Sequence, residues 1–247
     1  DFSGVQRLPG NTFRWSGKYR GDMEQVETIS TEVNVLGDFD PRIPAPWLSP
    51  GVLFCANTHP ASQVSVFDQC PNAKITAVDS FMLWIDTEFE QLSLALRKAD
   101  IAILNEEEVC AISGQSIFTK AISPILSGAA LHGGESAGLG PRGLVIKRGS
   151  SGVFAHLPCV IIALPAFTVE DVIDPTGCGD SFAGALLANI AGINGALNDW
   201  EKLRAAMLHA IVTSSFTLGG LGSNKLRDLE RGAYHARMDR YRRMVGL

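Results

Sequence analysis

Ile173-Asp174-Pro175-Thr176-Gly177-Cys178-Gly179-Asp180-Ser181-Phe182-Ala183-Gly184 is the stretch on which the reading of this chain turns. An apolar strand ends at Val172–Ile173, a glycine turn follows, and a helix of small residues runs over Gly179–Ile190. Backbone N–H groups exposed at such a helix start form an anion site. Glycine lets the backbone close on a phosphoryl group. Asp180 falls in the first turn of the helix, where a carboxylate can accept a proton from a hydroxyl. Taken alone, the same residues also describe an Asp capping a helix above an ordinary glycine turn.

Outward from that stretch, short apolar strands alternate with helical segments. Strands are expected at Val52–Ala56, Ile75–Val78, Ile101–Leu104, Leu144–Lys147 and Val153–His156, with a buried one in the apolar run Cys159–Phe167. Helices are expected over Ala61–Gln69, Thr87–Lys98, Glu106–Ile112, Glu201–Phe216 and Leu226–Met244. This alternation implies right-handed β-α-β units, a mostly parallel sheet and helices on both faces. The first forty residues differ. Thr12–Tyr19 and Glu27–Val35 alternate like the strands of an antiparallel ribbon, and the proline-rich run from Asp40 to Pro46 reads as a linker. The division expected is therefore a β lid over 1–40 and an α/β core over 41–247.

Composition narrows the class. The chain has 247 residues, 46% hydrophobic and 19% charged, which suits one large α/β unit or two small ones. A net charge of −5 argues against a dedicated nucleic-acid binder. No apolar run approaches the ~18 residues of a membrane span. The opening Asp1-Phe2-Ser3-Gly4 has neither the basic nor the apolar region of a signal peptide. Five widely spaced cysteines with no C-x-x-C offer neither a zinc site nor a disulfide framework, and a cytoplasmic setting is expected. Gly138–Gly143 fits G-x-G-x-x-G in form, but a polar loop precedes it and a strand follows, so it is not read as a dinucleotide site. There is no G-x-x-x-x-G-K-[ST] and no H-E-x-x-H. The basic run Arg237, Arg240, Arg242 and Arg243 reads as a solvated helix face.

Asp174–Gly184 resembles the C-terminal signature of the ribokinase-like (PfkB) carbohydrate kinases, D-x-T-G-A-G-D-x-F-x-G, with Cys178 where Ala is usual. Asn105-Glu106-Glu107-Glu108 is similar to the family's N-x-x-E, although alone it is an acidic helix start. Val145–Gly152 resembles the strand and turn that shape the nucleotide pocket, and Ser214–Gly220 the loop behind the adenine and a monovalent-cation site. The resemblance implies a three-layer α/β/α sandwich with a small, incomplete β lid. It implies an ATP-dependent kinase that moves the γ-phosphoryl group to a hydroxyl of a sugar or sugar-like molecule.

By the same resemblance, Asp180 is the base, and the N–H groups of Gly177, Cys178 and Gly179 form the hole for charge on the phosphoryl group. Asn105 and Glu108 organise Mg²⁺ and the phosphates, the Glu through water. Lys147, Gly149 and Gly152 line the nucleotide, with His209 near its base or ribose. Asp174 and Thr176, with carbonyls near Ser215 and Gly220, hold a K⁺-like ion. Cys178 would bring a thiol sensitive to oxidation into the turn. Two further readings stand beside the sugar kinase: a nucleoside kinase of the adenosine type, and a nucleotide-binding module with impaired catalysis. The second arises because the family's opening strand with a substrate-binding Asp and its Gly-Gly-x-x-x-Asn segment have no match in the chain. A homodimer joined through the lid strands, with Phe13, Trp15 and Tyr19 on one face, is the expected assembly.

Overall fold

Alternation in the N-terminal sequence folds into a two-stranded ribbon of β1 (Arg14–Arg20) and β2 (Gln25–Glu32). The computed structural model describes residues 2–21 and 25–247, so Asp1 and residues 22–24 of the expected lid lie outside it. Along β1 exposure alternates strictly, with Trp15, Gly17 and Tyr19 on the less exposed side. The Trp15 indole N–H donates to Thr28 Oγ1 at 3.2 Å. The chain divides into two compact units: Asp1–Lys18 with Glu27–Ile146, and Tyr19–Val26 with Lys147–Leu247.

In the first unit, β3 (Leu53–Cys55), β4 (Thr76–Val78), β5 (Ile101–Asn105) and β6 (Gly143–Lys147, up to Ile146) are neighbours in that order. β3 pairs parallel with β4, and β4 with β5. Helices α1 (Pro60–Gln69), α2 (Met82–Thr87), α3 (Phe89–Lys98), α4 (Glu106–Ser113) and α5 (Phe118–Leu126) connect them. The core is the inner stripe of α3 (Leu92, Ala95, Leu96), the whole of Ile101–Leu104, and Val109, Ile125 and Leu144. α5 was not foreseen, because Pro124 stands inside it and hides the helical spacing of Ala121, Ile122 and Ile125. Gln63, fully buried, donates from Nε2 to the carbonyls of Ala56 and Asp79 at 2.9 Å each, joining the carboxyl ends of β3 and β4. The Gly-rich loop after α5 is organised by Arg97. Its guanidinium donates to the carbonyls of Gly128, His132, Gly134, Gly138 and Leu139.

In the second unit, β7 (Val153–Leu157) and β8 (Val160–Leu164) form an antiparallel hairpin with Leu157 opposite Val160. The run Cys159–Phe167 is therefore not one buried strand. Cys159 lies in the tight turn, the strand stops at Leu164 before Pro165, and β8 ends the strand order with Ile161 59% exposed. The helices are α6 (Cys178–Ile190), α7 (Trp200–Thr217), α8 (Asn224–Arg227) and α9 (Arg231–Met244). α6 packs on α7, and Phe182, Leu186 and Ile190 of the first and Leu203, Met207 and Ala210 of the second are buried.

Two more expectations are corrected here. The helix expected over Leu226–Met244 is broken after Arg227, and Glu230 enters α9 in extended conformation. Val172–Ile173 is not a strand, because the N–H of Ile173 donates instead to the Leu218 carbonyl at 2.8 Å. The six core strands of the two units are thus parallel in β3-β4-β5 and antiparallel in β7-β8, with helices between them, as an α/β fold requires. Among the described residues no single helix is long and apolar enough to cross a membrane.

Candidate active site

Gly177 opens α6. Its φ of +84° puts it in the left-handed region that favours glycine, and it serves as N-cap with no side chain completing the cap. Asp180 therefore stands at the third helical position, exposed, and is not the cap. Among the described residues its carboxylate has no hydrogen-bond or ion-pair partner. The first turn leaves the N–H groups of Gly177, Gly179 and Asp180 undonated among the described residues, whereas the Cys178 N–H donates to the Pro175 carbonyl at 3.1 Å. A Cβ built on Gly179 would lie 3.3 Å from Lys147 Nζ, so the ammonium at the end of β6 rests against this turn. The arrangement combines open N–H dipoles, a cation and an unengaged carboxylate within one helical turn. Such a place holds an anion and accepts a proton beside it.

The turn is tied down from three sides. Ser181 Oγ donates to the Cys178 carbonyl at 3.1 Å and meets Thr217 Oγ1 at 2.8 Å, linking α6 to the last turn of α7. Cys178 Sγ donates to the Ser214 carbonyl at 3.6 Å, and burial, helped by the charge of Asp174, pushes its thiol up to about 11. That environment suppresses the thiolate, so the expected sensitivity to oxidation has no support here. Asp174 accepts the Thr176 N–H at 2.9 Å. The Thr176 hydroxyl, then its N–H, and the Gly222 N–H hold the Asp174 carboxyl below its usual range. Tyr19, at the end of β1, places its hydroxyl 3.1 Å from Thr176 Oγ1.

Beyond Lys147, the Arg148 N–H closes on the Gly152 carbonyl at 2.8 Å over a single 3₁₀ turn, Gly149–Ser151. Gly152 has φ +94°, and a Cβ there would lie 2.1 Å from the Leu164 carbonyl oxygen. No side chain fits, and the turn is pressed directly onto the end of β8. His209, on α7, shares a 2.5 Å hydrogen bond with the Tyr234 hydroxyl, and their rings are nearly parallel at 6.0 Å. Burial first, then the charges of Arg242 and His235, lower its pKa. Ser215 is buried, donates to the Val212 carbonyl at 2.6 Å and accepts from Arg237 at 3.1 Å. Arg237 lies 3.6 Å over the Phe216 ring and 5.1 Å over that of Phe167, so it is a packed residue and not part of a solvated face. Gly220 is half-buried in the loop after α7.

Asn105 and Glu108 belong to the first unit, where they make a reciprocal capping box on α4. Asn105 Oδ1 accepts the Glu108 N–H at 2.7 Å, and Glu108 Oε2 accepts the Asn105 N–H at 2.8 Å. Glu108 is 3% exposed. Among the described residues no group of three or more His, Cys, Asp or Glu side chains could hold a metal ion.

Sequence reasoning missed Tyr19, Tyr234 and Arg237 as partners of this region. The spacing of Tyr234, Met238 and Tyr241 marks the inner face of α9, and Arg237 lies on its border. Nothing local marks Tyr19, which is 157 positions from Thr176.

Residues 50–225 match the family described as pfkB family carbohydrate kinase. A cytidine kinase of Thermococcus kodakarensis is 28% identical over 194 residues, 76% of this chain, and the chain spans 64% of that relative's length. Ribokinase from Thermotoga maritima superposes with a TM-score of 0.67 at 20% identity, over 96% of this chain and 73% of that one. A Burkholderia thailandensis nucleoside kinase solved with inosine gives 0.70 at 18% identity, over 97% and 72%. A Vibrio cholerae fructokinase double mutant, solved with fructose, ADP and potassium ion, gives 0.70 at 16% identity, over 94% and 74%.

Proposed function

Because the chain belongs to the pfkB family of carbohydrate kinases, we propose that it transfers the γ-phosphoryl group of ATP to an alcohol on a sugar-like molecule. The observation that carries this reading is the opening of α6: an uncapped glycine start, Lys147 against Gly179, and Asp180 exposed two residues on from Cys178. In this reading the Asp180 carboxylate takes the proton of the acceptor hydroxyl. The acceptor oxygen forms its bond to the γ-phosphorus as the bond from that phosphorus to the bridging oxygen breaks, and the electron pair leaves with ADP. The open N–H groups of Gly177 and Gly179, with the ammonium of Lys147, face the charge that spreads over the moving phosphoryl oxygens. The Cys178 N–H contributes once it leaves the Pro175 carbonyl. Gly149 and Gly152 shape the turn that follows Lys147, and His209 stands with the nucleotide base.

Mg²⁺ would arrive on the ATP phosphates and supply charge neutralisation; by resemblance Asn105 and Glu108 serve it. A monovalent ion would rest on Asp174 and Thr176 with carbonyls near Ser215 and Gly220, beside the Asp174 carboxylate oxygen that already accepts the Thr176 N–H. The fructokinase solved with a potassium ion shares this fold.

Asp180→Asn should lower turnover by at least ~10²-fold, the usual scale for a general base, with little change in ATP affinity. The check is an ADP-release assay beside calorimetry, run in K⁺ and again in Na⁺, with higher activity expected in K⁺. Near-normal turnover of the variant would remove Asp180 from the chemistry.

A nucleoside acceptor is the second reading, favoured by the cytidine kinase relative and the inosine-bound neighbour. A thermal-shift screen of sugars against nucleosides separates the two. We also propose a cytoplasmic homodimer through the β1–β2 ribbon, with Phe13 and Trp15 on the shared face.

A further inference from the structure

Serine and threonine hydroxyls carry one proton each, and a carbonyl only accepts. Ser181 Oγ lies 3.1 Å from the Cys178 carbonyl oxygen and 2.8 Å from Thr217 Oγ1. Its single proton goes to the carbonyl, so the Thr217 hydroxyl is the donor in the second pair. The Ser181 N–H meanwhile donates to the Gly177 carbonyl at 2.9 Å. One residue thus holds two successive carbonyls at the opening of α6. Each carbonyl shares a planar trans peptide with the next N–H, which points the opposite way. Holding the Gly177 carbonyl sets the direction of the Cys178 N–H, and holding the Cys178 carbonyl sets that of the Gly179 N–H. The first of these N–H groups is turned to the Pro175 carbonyl at 3.1 Å, and the second has no acceptor among the described residues.

From this geometry we infer that Ser181 and Thr217 are positioning residues of the anion turn, which aim the open Gly179 N–H by way of the Cys178 carbonyl. Thr217 is built in firmly enough to do so. It is 3% exposed and ends α7. Its Cγ2 lies 3.9 Å from where a Cβ on Gly177 would stand, and its carbonyl takes the Gly220 N–H at 3.3 Å. Valine at 217 would keep the methyl contact and lose the proton. The Ser181 hydroxyl would then be free to rotate, and the Cys178 carbonyl would keep only the ordinary helical bond from four residues on. The Gly179 N–H would swing over a wider angle. Any effect on turnover rests on the kinase reading given above, but the aim of the N–H does not.

The test is NMR relaxation of the backbone amide nitrogens on the full chain, comparing the parent with Thr217→Val, Ser181→Ala, the double variant and Thr217→Ser. In Thr217→Val the order parameter of the Gly179 N–H should fall from about 0.85, the rigid range, toward about 0.6. That of Ala206, in the middle of α7, should stay at the parent value. Ser181→Ala should do at least as much at Gly179, the double variant no more than Ser181→Ala alone, and Thr217→Ser should restore the order. In an ADP-release assay Thr217→Val should lose about two- to tenfold in kcat, the span of one net hydrogen bond, and leave the KM for ATP in place. Parent-like order at Gly179 in Thr217→Val, an equal fall at Ala206, or additive effects in the double variant would overturn the inference. ATP titration of the parent by calorimetry stands apart: failure to bind would remove the kinase reading and leave the relaxation result intact.

Discussion

At Cys178 a thiol fills the position where the signature usually carries alanine, and its surroundings make it behave as a small packed residue. Sγ points at the Ser214 carbonyl, and burial raises the thiol to about 11. At pH 8 only about a thousandth of it is thiolate, and the thiolate is the nucleophile. Iodoacetamide at that pH should label the exposed Cys159 long before Cys178, as read from peptide masses over time. Equal rates at the two cysteines would mean that the turn opens. Cys178→Ala should leave ATP affinity within about twofold, since one weak S–H bond is at stake. The identity of Asp180 as a free carboxylate was only half legible from sequence. Gly177-Cys178-Gly179-Asp180 fits a cap as well as a base, and the left-handed Gly177, which takes the capping position, separates the two.

Helices and loops carry two further expectations. Arg97 reaches from α3 into the Gly-rich loop and satisfies five carbonyls there. Lysine has three donors on a point charge and cannot reproduce that fork. Arg97→Lys should lower the unfolding free energy by about 2–3 kcal/mol in denaturant titration, the scale for lost hydrogen bonds to a charged group. An unchanged midpoint would show that water replaces the guanidinium at no cost. On the other unit, α7 and α9 meet at His209 and Tyr234. A histidine whose pKa is lowered in the fold binds fewer protons than the unfolded chain below pH ~6.5. Its contribution is present above that value and is lost as pH falls through the lowered one. Melting temperature should therefore drop between pH 7.5 and pH 5 by more in the parent than in His209→Gln. Parallel pH profiles would show that His209 does not set that dependence. The strand–helix alternation was readable because apolar runs and polar turns repeat along the chain. α5 was not, because Pro124 interrupts its pattern, and the break before α9 was not, because neither Gly nor Pro marks residues 228–230, where Glu230 turns extended.

For the whole chain, legibility follows distance in sequence. Motifs that are contiguous, such as Asp174–Gly184 and Lys147–Gly152, could be read directly. Partners brought in by the fold, Tyr19 to Thr176 and Tyr234 to His209, could not. The ribbon of β1 and β2 is only two strands deep, and such ribbons are marginal alone. Self-association covering Phe13 and Trp15 should appear as a dimer in sedimentation at tens of micromolar, and Trp15→Ser should weaken it. A parent that sediments as a monomer would remove the assembly. Cys159, meanwhile, offers an experimental handle. It is the exposed cysteine among five and sits at the tip of the β7–β8 hairpin. Five residues of strand, about 17 Å, separate it from Gly152 at the other end. A donor dye attached there and a fluorescent ATP analogue as acceptor would turn nucleotide binding into an energy-transfer signal, read without altering any residue of the turn.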